Sequence, residues 1–523
     1  MTSYRLPPWP FLQSKSWHGA AVAGVLFVWF AATAWIRPLA MPDEGRYVSV
    51  AWELLNAGGW TVPTLDGLPF FHKPPLFYWI AAAAMRVAGV SAWAARVPSL
   101  LAATAIASCL FWFTRRTAGE RQAQICLVVL ATTPFFYLGA QYANMDMLVA
   151  ASIGCAVLLA ADYALRAEHV QVSGAGLWAA YVMAAVAVLS KGLIGCVLPA
   201  AILVIWLLAC RRPNMIARLV SPVGAVLFAI TALPWFIGMQ SKYPGFFDYF
   251  VMEQHVRRFA AGGFNNVQPW WFYAPVLLAL GLPWTLNAVG VWRRGRLHSA
   301  PGLSVRALMY CWTAVVVLFF SFPQSKLIGY VLPAIAPIAW LVADAIAGSP
   351  EANFVTRNFH FLTMGTAVIL IAAVSAYALR TPHSAQSIGL ALAARRDAGE
   401  PVVFVDSYPY DVVFYARLRG TVPVVKRWSS SEISAHDDWA KELYDAARFD
   451  ANLSPRVLIE QDQMAAQLGK APASWLVGGT LPPLPHGTDA QLVAAAAGLK
   501  LWRVSRQGAA LSLRQEEARP PHY

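Results

Sequence analysis

The sequence predicts a polytopic α-helical membrane protein with a C-terminal soluble α/β domain. Of its 523 residues, 58% are hydrophobic and only 13% are charged, whereas soluble domains are about 25% charged. Apolar stretches long enough to cross a bilayer recur between residues 20 and 379. After residue 380 the pattern changes to short apolar segments typical of strands, separated by helical segments.

The net charge of +13 does not indicate nucleic-acid binding. Much of it lies in short Arg-rich loops near residues 116, 211 and 293, a pattern typical of loops on the cytoplasmic side of a membrane. The apolar stretch 20–36 is long for a cleaved signal peptide, so we expect an uncleaved anchor and place the loop 38–74 outside.

The apolar stretch 75–90 is short for a membrane span. We predict an interfacial or re-entrant helix there, because this choice places all three Arg-rich loops inside and the C-terminus outside. About eleven spans are then expected, at 19–37, 93–114, 122–139, 143–165, 174–190, 193–210, 216–237, 270–292, 305–322, 326–347 and 359–379.

Two domains are predicted, with a boundary near residue 380. Residues 1–380 form the membrane domain, which includes the outer loops 38–92 and 238–269, and residues 381–523 form the α/β domain. The six cysteines lie in or beside apolar stretches, so no disulfide and no cysteine metal site is expected. Strands are predicted at 402–405, 422–425, 457–459, 475–477, 501–504 and 511–513, and helices at 411–418 and 432–449.

The first outer loop contains a dense group of charged residues. Asp43 and Glu44 follow Pro42 at the membrane edge, and Arg46 lies one turn further on. Asp43 is either the N-cap of a helix at 44–56 or a functional carboxylate. Its position at the mouth of an outer cavity, with Arg46 nearby, favours a functional role.

Lys73 closes the same loop, between His72 and two prolines. Because Pro74 and Pro75 restrict the backbone before them, they present the ammonium group rigidly, which suits a phosphate ligand. The alternative is a lysine that extends from a helix start toward the interface.

Three charged residues lie at the outer ends of later predicted spans. Asp146 is costly in that environment unless it is solvated or paired, so it is either functional or a helix N-cap. Lys191 and Lys326 each follow a serine. Each is either a plain interfacial anchor or part of an anion-binding surface on the outer face.

The loop 238–269 alternates aromatic and basic residues, which predicts an amphipathic helix lying in the membrane interface. A surface anchor explains the aromatic residues but explains Glu253 and His255 less well. His255 and His72 could hold Zn²⁺ or a similar ion if a carboxylate joins them.

Seven motifs occur in order along the membrane region: Asp43-Glu44-x-Arg46-Tyr47, His72-Lys73-Pro74-Pro75, Asn144-Met145-Asp146-Met147, Ser190-Lys191-Gly192, Glu253-x-His255-x-x-Arg258-Phe259, Gln268-Pro269-x-Trp271-Phe272-Tyr273 and Ser325-Lys326-Leu327-x-x-Tyr330-x-Leu332-Pro333. As a set they resemble the motifs of the aminoarabinose–lipid A transferases. That family belongs, with the protein O-mannosyltransferases, to the GT-C superfamily of polyprenyl-phosphate-sugar transferases. The segment 399–418 is similar to the start of the family's periplasmic C-terminal domain.

This resemblance implies an inverting glycosyltransferase of the bacterial inner membrane, embedded in membrane lipid, with its active site and C-terminus in the periplasm. It would move a sugar from a polyprenyl phosphate, undecaprenyl phosphate, to lipid A or another periplasmic acceptor, without a nucleotide donor. It makes Asp43 the leading catalytic carboxylate and Asp146 a supporting one. The donor-phosphate-binding residues would be Lys73, Arg46, Arg258, Lys326 and Tyr330, joined by Lys191.

Two departures from the family pattern bear on this expectation. His255 matches a family metal ligand, but His72 stands where the family usually has Glu, which changes the charge of the predicted Zn²⁺ site. The chain also has two fewer predicted spans before its C-terminal domain, which affects the identity of the acceptor more than the chemistry. The alternatives are a protein O-mannosyltransferase-like enzyme, an O-antigen-type ligase or polymerase, and a polytopic transporter or flippase of lipid-linked substrates.

Overall fold

The computed structural model describes residues 19–257, 266–295, 302–348, 354–381, 383–429, 433 and 438–506. The chain divides into two compact units. The first comprises Met1–Arg37, Lys73–Ile80 and Arg96–Leu379, and the second comprises Pro38–His72, Ala81–Ala95 and Arg380–Tyr523.

The second unit includes most of the outer loop 38–92, which the sequence analysis placed in the membrane domain, together with the region from Arg380 onward. The physical reason is direct bonding within the second unit. Trp52 Nε1 donates a hydrogen bond to the carbonyl of Leu418 at 2.8 Å, and the backbone N–H of Leu39 donates to Tyr415 Oη at 2.8 Å.

The first half of the chain contains both long apolar helices and short connecting ones. They are α1 Gly19–Ala31, α2 Asp43–Asn56, α3 Leu76–Ala88, α4 Ala92–Ala118, α5 Glu120–Thr132, α6 Pro134–Ala140, α7 Met145–Ala167, α8 Ala175–Lys191, α9 Ile194–Ala209, α10 Asn214–Leu219, α11 Pro222–Lys242 and α12 Asp248–Arg257, the last a π-helix.

The helices of the second half become short after residue 380. They are α13 Tyr273–Leu280, α14 Ala288–Gly295, α15 Val305–Ser321, α16 Ile335–Ala347, α17 Phe354–Arg357, α18 Phe359–Arg380, α19 Gln386–Arg395, α20 Tyr410–Tyr415, α21 Trp439–Ala447, α22 Ser454–Val457 and α23 Met464–Leu468. A 3₁₀-helix, Ile328–Ala334, leads directly into α16.

Every predicted span coincides with at least one apolar helix. Among the described residues, five helices are long and apolar enough to cross a membrane, and seven if each of two bent pairs is one span. The helices α1, α8, α9 and α15 are apolar but have 17 or fewer residues, so the number of spans stays a prediction. The helix α3, in the short stretch 75–90, has 13 residues.

Two predicted spans are not straight helices. The predicted span 122–139 is bent by 66° between α5 and α6, and the span 270–292 is bent by 105° after α13. In both, a proline begins the second segment or directly precedes it, at Pro134 and Pro283. Because proline cannot donate a backbone hydrogen bond and clashes with the preceding turn, the helix is interrupted there.

In the first unit, α7 is the central helix. It packs against α8 and α9, and small residues such as Ala156, Ala160 and Ala180 lie buried along the contacts. Small side chains let helix backbones approach closely, which is the usual basis of packing between membrane helices. All six cysteines of the chain are free.

The second unit contains a six-stranded sheet. Its strands are β3 Val402–Val405, β4 Val424–Val425, β5 Leu458–Ile459, β6 Ala473–Gly478, β7 Thr488–Ala496 and β8 Leu499–Arg506, in the order β5-β4-β3-β6-β8-β7. The first four positions in this order are parallel, and β8 is antiparallel to both β6 and β7. Val403, Leu476 and Trp502 lie in the core formed on it.

Most of the predicted α/β pattern is confirmed. Strands occur at five of the six predicted positions, and the predicted helices correspond to α20 and α21. The predicted strand 511–513 lies outside the described residues. The strand β7 and the helix α19 were not predicted; β7 contains four alanines, and alanine is depleted in strands.

Two carboxylates of the second unit hold a short hairpin of β1 Thr64–Leu65 and β2 Leu68–Pro69: Glu53 links it to α2, and Asp66 links it to Val422. Glu53 accepts hydrogen bonds from Thr64 Oγ1 at 2.8 Å and from the backbone N–H of Asp66 at 2.7 Å. The buried Asp66 accepts from the backbone N–H of Val422 at 2.7 Å. Loss of water around the carboxyl raises the pKa of Glu53 to about 7. Burial, together with nearby Glu53, raises the pKa of Asp66 well above its ordinary value.

This arrangement makes the second unit less stable as the pH rises. Glu53 ionises near pH 4.5 in an unfolded chain but near 7 in the fold, so its contribution is complete below pH 4.5 and is lost as the pH rises to about 7. The loss is at most about 3 kcal/mol. Thermal unfolding in detergent at pH 5 and pH 7.5 should show a decline that is clearly smaller in Glu53→Gln. An equal decline in both proteins would contradict the assignment.

Candidate functional site

In the first unit, an acid and a base from two neighbouring helices form an ion pair. Lys191 Nζ, at the last residue of α8, donates to Asp146 Oδ1 in the first turn of α7. Only 13% of the lysine and 16% of the aspartate side chain is exposed. A pair of this kind is strong because little water screens it. The structure therefore brings together two residues that the sequence predicted only to share one face.

Asn144 orients Asp146. Its side-chain Oδ1 accepts from the backbone N–H of Asp146 at 3.0 Å, and its Nδ2 donates to Asp146 Oδ2 at 3.1 Å. Asn144 is thus the N-cap of α7, and the capping role weighed for Asp146 belongs to Asn144 instead. The carboxylate of Asp146 is left to pair with Lys191.

The segment that begins at residue 326 lies against this ion pair. The ammonium of Lys191 lies 4.5 Å from the centre of the Tyr330 ring, a cation–π distance. A Cβ atom added at Gly329 would overlap Asp146 Oδ2. Residue 329 must therefore lack a side chain for the carboxylate to keep its place.

The side chain of Lys326 is held by backbone carbonyl groups. It is buried, and its ammonium donates to the backbone carbonyls of Gln268, at 2.9 Å, and Pro323. Its backbone N–H also donates to the carbonyl of Asn266 at 3.1 Å. These bonds connect the segment around residue 268 to the turn before Tyr330. The described contacts of Lys326 therefore stabilise the local structure.

In the second unit, Arg46 lies between two carboxylates. Its Nη2 donates to Asp43 Oδ1 and its Nη1 donates to Glu442 Oε1. Tyr410 Oη donates to the other oxygen of Glu442 at 2.8 Å. Glu442 lies on α21, and sequence reasoning missed it because nothing in the local sequence links it to a residue 396 positions earlier.

The structure also gives different roles to Asp43 and Glu44, the two acids of the first motif. Asp43 is the first residue of α2 and the preceding N-cap position is Pro42, which makes no side-chain capping bond. Glu44 is fully buried and accepts a hydrogen bond from the backbone N–H of Ala40 at 2.9 Å. Glu44 therefore has the local structural role, while Asp43, with 39% of its side chain exposed, is accessible to a ligand.

The remaining predicted site residues are placed as follows. Lys73 is half-buried, and the adjacent His72 is buried, with its ring stacked on Phe70 at a centroid distance of 4.8 Å. The backbone of His255 lies in α12, but its side chain and all of Arg258 lie outside the described residues. Within the described part of the chain, no three His, Cys, Asp or Glu side chains gather into a metal-binding group, so the Zn²⁺ site stays a prediction.

The contact at Gly329 can be tested by filling it. Gly329→Ala should lower the free energy of unfolding by about 1–3 kcal/mol, because the new methyl group displaces the carboxylate of Asp146. In an Asp146→Ala background the same change should cost much less, which a double-mutant cycle of thermal unfolding would measure.

Gly238→Ala is the matched control, because Gly238 is also helical and has open space where a Cβ would lie. It should leave stability near that of the wild type. Equal effects of Gly329→Ala with and without Asp146 would show that the new methyl group does not act through the carboxylate of Asp146.

Comparison with known proteins identifies relatives of this chain. Residues 72–237 match the family described as dolichyl-phosphate-mannose-protein mannosyltransferase. The undecaprenyl phosphate-alpha-4-amino-4-deoxy-L-arabinose arabinosyl transferase of Erwinia tasmaniensis is 31% identical over 366 residues, which are 67% of this chain and 65% of that protein. A second such transferase, from Pseudomonas fluorescens, is 29% identical over 64% of this chain and 60% of its own length. The matches thus span less than two-thirds of these relatives.

The fold is shared with a solved structure. The crystal structure of ArnT from Cupriavidus metallidurans bound to undecaprenyl phosphate has a TM-score of 0.79 and 21% identity, and the match covers 92% of this chain and 97% of that one. The apo form of ArnT gives a TM-score of 0.72. The predicted resemblance to the aminoarabinose–lipid A transferases is therefore confirmed, and the chain is a multi-pass α-helical membrane protein with the ArnT fold.

Proposed function

We propose that the chain is an inverting glycosyltransferase that moves a sugar from a polyprenyl phosphate, undecaprenyl phosphate, to a periplasm-facing acceptor such as lipid A. The observation that carries the proposal is the shielded ion pair of Asp146 and Lys191 beside Tyr330, at the ends of apolar helices. Charged groups at such a position are costly and are retained where they bind a substrate. The names of the curated relatives and the solved neighbour's bound lipid support the same substrate class.

The donor phosphate needs cations that are available to it. Lys73 is the leading candidate, because the prolines that follow limit its backbone and its ammonium acts as a compact charge. Lys191, which is paired with Asp146, and the adjacent Tyr330 would make a second contact with the donor phosphate. Lys326 supports this region through backbone carbonyls, and Arg258 remains a proposed ligand from the family motif.

The transfer itself requires one displacement. An acceptor oxygen attacks the anomeric carbon, the bond from that carbon to the phosphate oxygen breaks, and polyprenyl phosphate leaves with the bonding electrons, which inverts the configuration. Asp43 would take the proton of a hydroxyl acceptor as a general base. A phosphate acceptor is already ionised, and Asp43 would then orient it. Lys73 stabilises the charge that grows on the leaving group.

The protein is proposed to lie in the bacterial inner membrane with the candidate residues on the periplasmic side. The Arg-rich loops near residues 116, 211 and 293 support this orientation. In a background without the six native cysteines, a cysteine at Gly399 should react with an impermeant reagent added from the periplasm, and a cysteine at Arg116 should not. The reverse labelling would overturn the orientation. Tyr523, proposed to be periplasmic as well, lies outside the described residues.

The phosphate role of Lys73 has a direct test. Lys73→Ala should reduce release of undecaprenyl phosphate from a labelled lipid-linked sugar by roughly 10²–10³-fold, because leaving-group stabilisation is lost. Donor binding should weaken too. Lys73→Arg should not restore activity, because a planar guanidinium does not replace a compact ammonium before two prolines.

Lys242→Ala is the control for removal of a lysine charge, since Lys242 is exposed at the end of α11. It should release undecaprenyl phosphate at the wild-type rate. Near wild-type turnover with normal donor affinity in Lys73→Ala would refute the assignment. If the wild-type protein moves the lipid-linked sugar across a membrane but releases no polyprenyl phosphate, the chain is a flippase and the proposed function fails.

A further inference from the structure

We infer that Glu442, on α21, is a positioning residue for the carboxylate of Asp43 and that it acts through Arg46. The inference rests on the proposed function, since that function gives Asp43 its role in the reaction. It adds a residue of the C-terminal region to the catalytic apparatus, which the sequence motifs place entirely within the membrane region.

The argument begins with the burial of the three side chains. Glu442 is 5% exposed, Arg46 is 20% exposed and Asp43 is 39% exposed, so the chain of bonds runs from a shielded carboxylate to an accessible one. A carboxylate as shielded as that of Glu442 is costly without a cation and further donors. Arg46 supplies the cation and Tyr410 supplies a hydroxyl donor at 2.8 Å.

The geometry of the guanidinium makes this pairing directional. Arg46 donates through Nη1 to Glu442 and through Nη2 to Asp43. Because the guanidinium group is planar and its donors have fixed directions, holding Nη1 fixes the plane and the direction in which Nη2 points. Glu442 thereby determines where Oδ1 of Asp43 is held, and it leaves Oδ2 for the acceptor.

The electrostatics keep Arg46 charged in this role. Burial alone would lower the pKa of Arg46, but the adjacent Glu442, followed by smaller contributions that include Asp43, raises the pKa well above its ordinary value. One guanidinium thus faces two carboxylates. The positive charge of Arg46 is therefore shared between Glu442 and Asp43.

Replacement of Glu442 by Gln should therefore change the reaction in a way that a purely structural residue would not. With purified full-length protein, Glu442→Gln should lower kcat for undecaprenyl phosphate release roughly 10- to 100-fold through misplacement of the carboxylate. KM for the donor should stay within about threefold of the wild-type value. The melting temperature in detergent should stay near the wild-type value, so that the loss is confined to kcat.

Two further variants sharpen the test. Tyr410→Phe removes only the hydroxyl that holds Glu442, and it should lower kcat by a smaller factor with KM for the donor again little changed. Lys441→Ala is the matched control, because it breaks an ion pair on the same helix while Asp445 keeps a contact with Arg448 at 3.1 Å. Its kcat and its KM for the donor should equal those of the wild type.

The outcomes separate this inference from the proposed function. If the wild type releases no polyprenyl phosphate, the proposed function fails. If the wild type is active but Glu442→Gln keeps its kcat, or loses kcat only together with donor affinity and melting temperature, Glu442 is not a positioning residue. If Glu442→Gln does not fold, an unchanged kcat in Tyr410→Phe overturns the inference, and a lower kcat with unchanged donor KM supports it.

Discussion

The cost of placing charge away from water is the constraint on which the rest of this structure depends. The chain meets it by giving its shielded charged groups specific partners. Asp146 is paired with Lys191, and Arg46 is shared by Asp43 and Glu442. A shielded pair resists separation because removal of one partner leaves an uncompensated charge. The same pairs therefore keep carboxylates and cations in fixed positions, as the proposed transfer reaction on a charged lipid would require.

The contacts divide the residues of the family motifs into those that bond to the backbone and those that bond to other charged side chains. Glu44 and Lys326 are satisfied by nearby backbone atoms, so they shape the segments that present other residues. Asp43, Asp146 and Lys191 instead interact through charged side chains, where a substrate can compete for or add to their bonds. Arg46 also interacts through its charged side chain, but both of its described carboxylate partners, Asp43 and Glu442, belong to the protein itself. That arrangement favours an orienting role over the phosphate-binding role expected from the motif.

Sequence patterns predicted the features that depend on local composition. Apolar runs located the membrane helices, and short β-branched segments located most strands of the C-terminal sheet. The bends near Pro134 and Pro283 were not predicted, because the apolar sequence continues across both prolines and was interpreted as one span in each case. Long-range pairing was beyond sequence reasoning, because Glu442 meets Arg46 across 396 positions and only the fold brings them together. For the same reason the grouping of the outer loop with the C-terminal region was missed.

The central claim is that Asp43 acts on the acceptor while Arg46 holds it in place. Release of undecaprenyl phosphate by Asp43→Asn, normalised to the amount of labelled donor bound, tests it most directly. Asn keeps the size of the side chain, and the N-cap position of α2 is Pro42 and not Asp43, so the protein should fold and bind donor. The account predicts a fall of about 10²–10⁴-fold for a hydroxyl acceptor, and a smaller but measurable fall for a phosphate acceptor. Unchanged release with normal donor binding would contradict it and leave Asp146 as the better candidate.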